Sequence, residues 1–488
     1  MNLPEQFAAN MLTLLGDEGF RRLQEALDGE PSVSVRLNRA KCGAATVAGT
    51  QVPWCGDGFY ISQRPAFTFD PLLHAGFYYV QEASSMFLHH ALSEHVSGAV
   101  ALLDLCAAPG GKTTTALGAL PGGSVVMCNE PVRQRAQVLA ENIAKWGAPN
   151  VVVTNSYPRD YARSGLAFDI ILCDVPCSGE GMFRKDAEAV AGWSEAAVDS
   201  CCALQREIVA DAWECLRPGG LMVYSTCTFN TREDEENVRW IAGRLGGQLL
   251  QVSTDSSWRI VPSLLPGFGG PVYRFLPGFT RGEGLFMAVI RKEGDAGPDR
   301  KPPAPRKRRA KGGTQGRCQH GAAAQAAGLL SCLRESDTFV PVTLTGGREL
   351  AALPAAMADM YARAERHLKI LAAGVPLGLA KGHGYTPHPA LALSTALAPG
   401  AFPRAELTYP QAVSYLRHEA ITLPDGAPRG HVVVTWQGAP LGFVKNIGNR
   451  ANNLFPQEWR IKSSHLPDSP PGIIRPYILT DSGTEAAQ

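Results

Sequence analysis

Residues 100–113 read VALLDLCAAPGGKT, a short apolar run followed by a loop carrying Gly110 and Gly111 and then the opening of a helix. Four further apolar runs follow, SVVMCNE (124–130), NVVVTN (150–155), DIILCDV (169–175) and LMVYSTC (221–227). Runs this short and apolar suit strands covered on both faces. Between them Ala136, Leu139, Ala140 and Ile143 recur at helical spacing, as do Leu204, Ile208, Val209, Ala212 and Leu216, the latter stopped by Pro218-Gly219-Gly220. Alternating strand and helix predicts an α/β fold built on a parallel, doubly wound sheet. In such sheets ligands bind beyond the carboxyl ends of the strands. The loops to read are therefore AAPGGKT, NEP, TNSYP, DVPCSGEGMFRK and STCTFN.

Outward from this core the chain divides into four parts. Residues 1–95 carry helical patterning (PEQFAANMLTLLG, FRRLQEAL) and a strand-like SVSVRLN, so a small domain precedes the core at 96–293. Residues 294–325 change composition sharply to Pro, Gly, Ala and basic residues and read as a linker. Within it Arg300, Lys301, Arg306, Lys307, Arg308, Arg309 and Lys311 form a run without an acid, which suits either a solvated tether or a phosphate contact. Residues 326–488 hold a helix near 354–372 and a hairpin, HVVVTW then QGAP then LGFVKN.

At 488 residues, 45% hydrophobic and 19% charged, the chain has the composition of a folded protein, which excludes disorder throughout. Its formal charge of +1 gives no global basic field, so a nucleic-acid site must be local. No apolar run reaches the length of a membrane span, and MNLPEQFAAN lacks the layout of a signal peptide, so a cytoplasmic location and no membrane partner are expected. Twelve cysteines in so long a chain read as reduced thiols. Cys318, His320 and Cys332 are the nearest approach to a metal cluster, beside low-complexity sequence and without a C-x-x-C pair, and no metal is expected.

The loop chemistry is more specific. Gly110 and Gly111 let backbone N–H groups approach a ligand at a helix N-terminus. The loop is neither a Walker loop, which needs glycine where Cys106 stands, nor Gly-x-Gly-x-x-Gly. Glu130 ends the next strand, where an acid accepts hydrogen bonds from ribose hydroxyls; it is also well placed simply to open a helix. Cys177 in D-V-P-C-S-G and Cys227 in S-T-C-T-F both fall at strand ends near Asp174. A thiolate adds to an electron-poor carbon, and a carboxyl group can hydrogen-bond or protonate the ring nitrogen that gathers charge.

DLCAAPGGKT (104–113), NEP (129–131), DVPCSGEGMFRK (174–185) and YSTCTF (224–229) together resemble the motifs of the Nol/Nop/Sun family of RNA cytosine methyltransferases. The resemblance extends to LPEQFAANMLTLLG and YVQEASSM before the core and to LGFVKNIGNRANNLFPQEWR near the C-terminus, and is closest to bacterial members acting on small-subunit ribosomal RNA. It implies a Rossmann-like S-adenosylmethionine-dependent methyltransferase core with a small N-terminal domain and a C-terminal PUA-like RNA-binding region. It assigns the cofactor to Cys106, Ala107, Ala108, Pro109, Gly110, Gly111 and Lys112, with Glu130 on the ribose and Asp174 beside it. Many members carry Asp after the third strand; here TNSYP leaves Asn155 or Ser156, and Ser156 is taken as the contact. Catalysis falls to Cys227 as nucleophile on carbon 6, Cys177 in release of the product, Asp174 at ring nitrogen 3, and Lys112.

A rival assignment, by analogy with DNA cytosine methyltransferases, makes Cys177 the nucleophile, but such an enzyme has no need of the S-T-C-T-F loop. The expected partner is RNA, 16S ribosomal RNA or the small subunit first and transfer RNA second, with a monomer as the working expectation. A non-catalytic assembly factor is the alternative of another class, disfavoured by both cysteines and Asp174. Methylation of an exocyclic amine is disfavoured because a thiol stands where that chemistry wants an aromatic ring. Lys445, Asn446, Asn449 and Arg450 in the PUA-like hairpin, and Arg184 and Lys185 beside the Cys177 loop, are candidate RNA contacts.

Overall fold

The computed structural model describes residues 1–294, 327–344, 347–381, 384–463 and 467–475. The basic run 300–311, Cys318 and His320 lie outside the described residues. Among the described residues no helix is long and apolar enough to cross a membrane.

The core sheet is built from β1 (Ala101–Asp104), β2 (Val125–Asn129), β3 (Val151–Thr154), β4 (Phe168–Asp174), β5 (Leu216–Thr226), β6 (Gly247–Leu250), β7 (Tyr273–Phe275), β8 (Leu285–Lys292) and β9 (Ile370–Ala373). The strands lie in the order β6-β8-β5-β4-β1-β2-β3-β9, with β7 on β8. From β5 to β3 all neighbours are parallel. Both flanks are antiparallel: β8 pairs with β5, and β9 with β3. The sequence predicts only the parallel part, because strand-helix alternation signals crossovers, whereas the antiparallel strands arrive without one. The order reverses between β1 and β4, so the crevice for a ligand opens beyond Asp104 and Asp174.

The N-terminal helix, Glu5–Asp28, is two helices joined at Gly16, whose φ of 70° and ψ of 175° break the helical path. That explains why its sequence reads as two separate helical stretches. Phe7 on this helix packs edge-on against Phe183 (5.0 Å between ring centroids) and Trp193 (5.8 Å), so it buttresses the loop after β4 from below. A four-stranded antiparallel sheet comes next, Val33–Leu37 pairing with Cys55–Ile61 and with Tyr78–Val80.

The C-terminal region folds back over both preceding parts. Val432, Val434 and Leu441 share one apolar cluster with Val35, Leu37 and Tyr78 of the N-terminal sheet. The hairpin Gly430–Trp436 and Ala439–Asn446 turns through Gln437 and Gly438, both at positive φ, the geometry that matches the twist of paired strands. The helix expected near 354–372 stops at His367, and the chain then extends into β9. The first contacts beyond the helix capture this strand: Asn155 N–H donates to Lys369 O at 2.9 Å, and Lys369 N–H donates to Ser156 Oγ at 3.0 Å. This tertiary pairing overrides the helical periodicity that the sequence presents.

Candidate active site

Asn129, at the end of β2, ties three strand ends together. Its Nδ2 donates to Leu105 O (3.1 Å) and Ser156 O (2.9 Å), and its Oδ1 accepts from Thr154 Oγ1 (2.9 Å) and Ser156 N (3.0 Å). The loop after β1 is thereby fixed beside those after β2 and β3, with Ala107 N–H donating to Asn129 O at 2.8 Å.

Gly110 caps the helix Gly111–Ala119 at φ 111°, a conformation L side chains rarely adopt, and a Cβ there would come within 3.2 Å of Leu139. The two glycines thus leave the first N–H groups of that helix uncovered by side chains. Behind the loop, Asp104 is fully buried; its Oδ2 accepts from Thr113 Oγ1 at 2.6 Å while its Oδ1 has no partner among the described residues. Burial pushes this carboxyl up to about 7, with Asp174 and Glu130 adding to the rise against the pull of Thr113. Glu130 is buried too; its Oε1 accepts from Val132 N (2.9 Å), and Arg135, which also donates to Ala108 O (3.0 Å), approaches its Oε2 at 3.3 Å. An orphaned carboxyl oxygen, bare helix N–H groups and a buried acid at the next strand end suit a ligand bearing a cationic group and hydroxyls, as S-adenosylmethionine does.

Asp174 and Lys112 meet across the point where strand order reverses, Oδ2 to Nζ at 2.9 Å, and Asp174 Oδ1 accepts from Ser225 Oγ at 2.8 Å. Burial alone would lower the Lys112 ammonium, but Asp174 outweighs it and holds the charge on more firmly than in water.

The two cysteines come together although fifty positions separate them in sequence. Their Sγ atoms are 3.2 Å apart, and Cys227 N–H points at Cys177 Sγ at 3.3 Å. The pair is polarised. A hydrogen bond from Cys177 lowers Cys227, with Lys112 assisting against burial and Asp174. Cys177 is driven well up, first by that same bond and then by burial. The lowered member, Cys227, is the sulfur of the pair that ionises more readily.

Lys112, Asp174, Cys177 and Cys227 thus form one cluster, with Glu130 and the 106–112 loop beside it. Ser156 is buried, its N–H and carbonyl bonded to Asn129 and its hydroxyl oxygen accepting from Lys369 N–H. Asn155 is likewise engaged, its Nδ2 donating to Glu130 O (2.9 Å) and Pro131 O (2.8 Å), its Oδ1 accepting from Lys369 Nζ (3.1 Å). Cys106 is a packing thiol pushed well up by burial. Arg184 is not free for RNA: it pairs with Glu283 at 2.6 Å and donates to Ala26 O and Gly282 O, binding the N-terminal helix to the site. Asn446 is buried and holds Ala427 O and Pro428 O, whereas Lys445, Asn449 and Arg450 are exposed. The sequence reading missed Asp104, Asn129 and Ser225; their signal was position at or next to a strand end within motifs already recognised.

The chain matches a family model described as 16S rRNA methyltransferase RsmB/F over residues 92–291. Residues 3–83 match the N-terminal domain of 16S rRNA methyltransferase RsmF, and 402–461 the methyltransferase RsmF PUA domain. Over 455 residues it is 32% identical to ribosomal RNA small subunit methyltransferase F of Klebsiella pneumoniae, covering 87% of this chain and 89% of that one. The protein of the same description from Erwinia tasmaniensis is 30% identical over 480 residues, covering 93% and 96%. Among solved structures, a methyltransferase homolog protein from Pyrococcus horikoshii superposes with a TM-score of 0.51 at 27% identity, over 59% of this chain and 95% of that one.

Proposed function

Because the chain belongs to the 16S rRNA methyltransferase family of the RsmF type, we propose that Cys227 attacks carbon 6 of a cytosine in 16S ribosomal RNA so that carbon 5 can be methylated. The enzyme is an RNA methyltransferase, and S-adenosylmethionine is its methyl donor. Bound at the 106–112 loop and Glu130, the donor supplies an electrophilic methyl group on a sulfonium.

The observation that carries this reading is the polarised sulfur contact beside the Lys112–Asp174 pair. Carbon 5 of cytosine is too weak a nucleophile alone. Addition of the Cys227 thiolate to carbon 6 forms a carbon–sulfur bond and pushes an electron pair through the ring toward nitrogen 3. With both oxygens of Asp174 accepting, from Ser225 and Lys112, the proton for nitrogen 3 comes from Lys112 and passes through Asp174. After methylation the proton on carbon 5 passes to water, the carbon–sulfur bond breaks with its electron pair going to Cys227, which leaves as thiolate, and the proton on nitrogen 3 returns by way of Asp174 to Lys112. Cys177 lies at hydrogen-bond distance to stabilise that leaving sulfur. The rival choice of Cys177 as nucleophile runs against the direction in which the pair is polarised.

Substrate choice rests with the outer domains, since the target base must be unstacked to reach the thiolate. Exposed Lys445, Asn449 and Arg450 on the PUA domain are the contacts we assign to phosphate and sugar. The test is methyl transfer to 16S RNA, 30S subunits and bulk transfer RNA in parallel. Label in a ribosomal fraction that vanishes with Cys227→Ala supports the reading; label in transfer RNA alone moves the substrate, and transfer that survives Cys227→Ala refutes the nucleophile.

A further inference from the structure

Resting on that assignment of Cys227, we infer that Glu180 is a positioning residue whose carboxylate clasps the Cys227 loop to the Cys177 loop and so keeps the two sulfurs in contact. Glu180 is fully buried three residues beyond Cys177. Its Oε2 accepts from the backbone N–H groups of Phe229 (2.6 Å) and Asn230 (3.1 Å), the second and third residues after Cys227. Its Oε1 accepts from Trp193 Nε1 and Asn230 Nδ2, each at 3.0 Å.

Both oxygens face only donors, so a carboxylate fits where an amide would not: in either orientation an amide presents N–H to N–H on one side. The neighbouring residue completes the grip. Gly181 N–H donates to the carbonyl of Cys227 itself at 2.8 Å, and a Cβ on Gly181 would stand 2.9 Å from that oxygen. A second acid, Glu233, runs parallel to Glu180, accepting from Ser178 N (3.0 Å), Gln205 Nε2 (2.6 Å) and Asn230 Nδ2 (2.8 Å). The backbone from the Cys227 carbonyl to Asn230 is thus held by the loop that bears Cys177. Burying a carboxylate costs stability unless its oxygens are satisfied, and here the donors that satisfy it belong to the segment that must not move.

The experiment compares wild type, Glu180→Gln and Cys227→Ala in two assays: steady-state methylation of 16S RNA, and alkylation of Cys227 by iodoacetamide across pH, followed by peptide mass. With the clasp broken, kcat falls about tenfold to a hundredfold. KM for RNA and for S-adenosylmethionine stays within about twofold, as expected when only positioning within the bound complex is lost. The alkylation midpoint of Cys227 moves up, because the hydrogen bond from Cys177 loosens. If Glu180→Gln does not fold, Trp193→Phe, which removes one donor to the Glu180 carboxylate and keeps an aromatic ring against Phe7, must give the same two effects in weaker form. Unchanged kcat and an unchanged midpoint in the folded variant overturn the inference, as does a rise in both KM values with kcat preserved. Methylation that persists in Cys227→Ala instead overturns the assignment on which it rests.

Discussion

Lys112 Nζ and Asp174 Oδ2 lie 2.9 Å apart at the point where the order of the core sheet reverses, one residue from the glycine loop and the other from the end of β4. The loop expected to cradle the cofactor therefore also supplies the cation that pairs with Asp174. Lys112→Met and Asp174→Asn should each lower the single-turnover methylation rate, by about a hundredfold or more if proton transfer at nitrogen 3 is lost. Measuring S-adenosylmethionine affinity beside the rate separates this from a damaged cradle; a rate loss fully explained by weaker binding refutes the catalytic pairing.

The two cysteines should part company on substitution. Cys227→Ala forms no covalent RNA complex, whereas Cys177→Ala forms one that persists through denaturing electrophoresis, because the leaving thiolate has lost its hydrogen-bond donor. A stable complex in Cys227→Ala with none in Cys177→Ala reverses the roles.

The lowered Cys227 thiol predicts an acid limb in kcat below the pH at which an ordinary thiol titrates. Activity rises with pH through that limb as the thiolate forms. Removing the donor with Cys177→Ala shifts the alkylation profile of Cys227 to higher pH; a profile that stays put shows that the contact does not set its charge.

Asp104 gives a stability prediction. Its carboxyl is raised in the fold to about 7 from an ordinary value of 3.8. The contribution of this group is fully present below the unfolded value and is lost as pH climbs through the folded one, because the unfolded chain ionises first. In that window it costs up to about 1.4 kcal/mol per pH unit. Asp104→Asn should flatten the decline of denaturant stability between those two pH values; an identical slope in both proteins rules this out.

Ser156→Ala tests a structural role against a cofactor role. Losing the bond from Lys369 N should cost about 1 kcal/mol in stability. Cofactor affinity should stay within about twofold of wild type, and a tenfold loss would return Ser156 to the cofactor site.

The parallel strands were legible because VALLDL, SVVMCNE and their successors are continuous apolar runs, the pattern a doubly covered sheet requires. Cys177, Cys227 and Asp174 were legible because each lies at or just past a strand end in a long, ordered motif, whereas Lys112, in the first turn of the helix Gly111–Ala119, came only with the family resemblance. β9 was not, since Ile370–Ala373 comes directly after an amphipathic helix and becomes a strand only through pairing with β3. Glu180 was equally opaque: a single Glu in a polar loop reads as solvent-exposed, and only the folded chain brings Phe229 and Asn230 to it. The bonds of Asn155 and Ser156 to Lys369 were not legible either, since that segment lies over two hundred positions away in sequence.

The pairing of β9 with β3 also sets an order of events at synthesis. Every other strand of the core sheet has been made by Lys292, yet the edge of β3 stays open until Ala373 has emerged. At about 5–20 residues per second, that leaves the nascent core for several seconds with an unpaired, strongly apolar edge. During that interval β3, with all four residues buried in the finished fold, offers an edge to wrong partners and to chaperones.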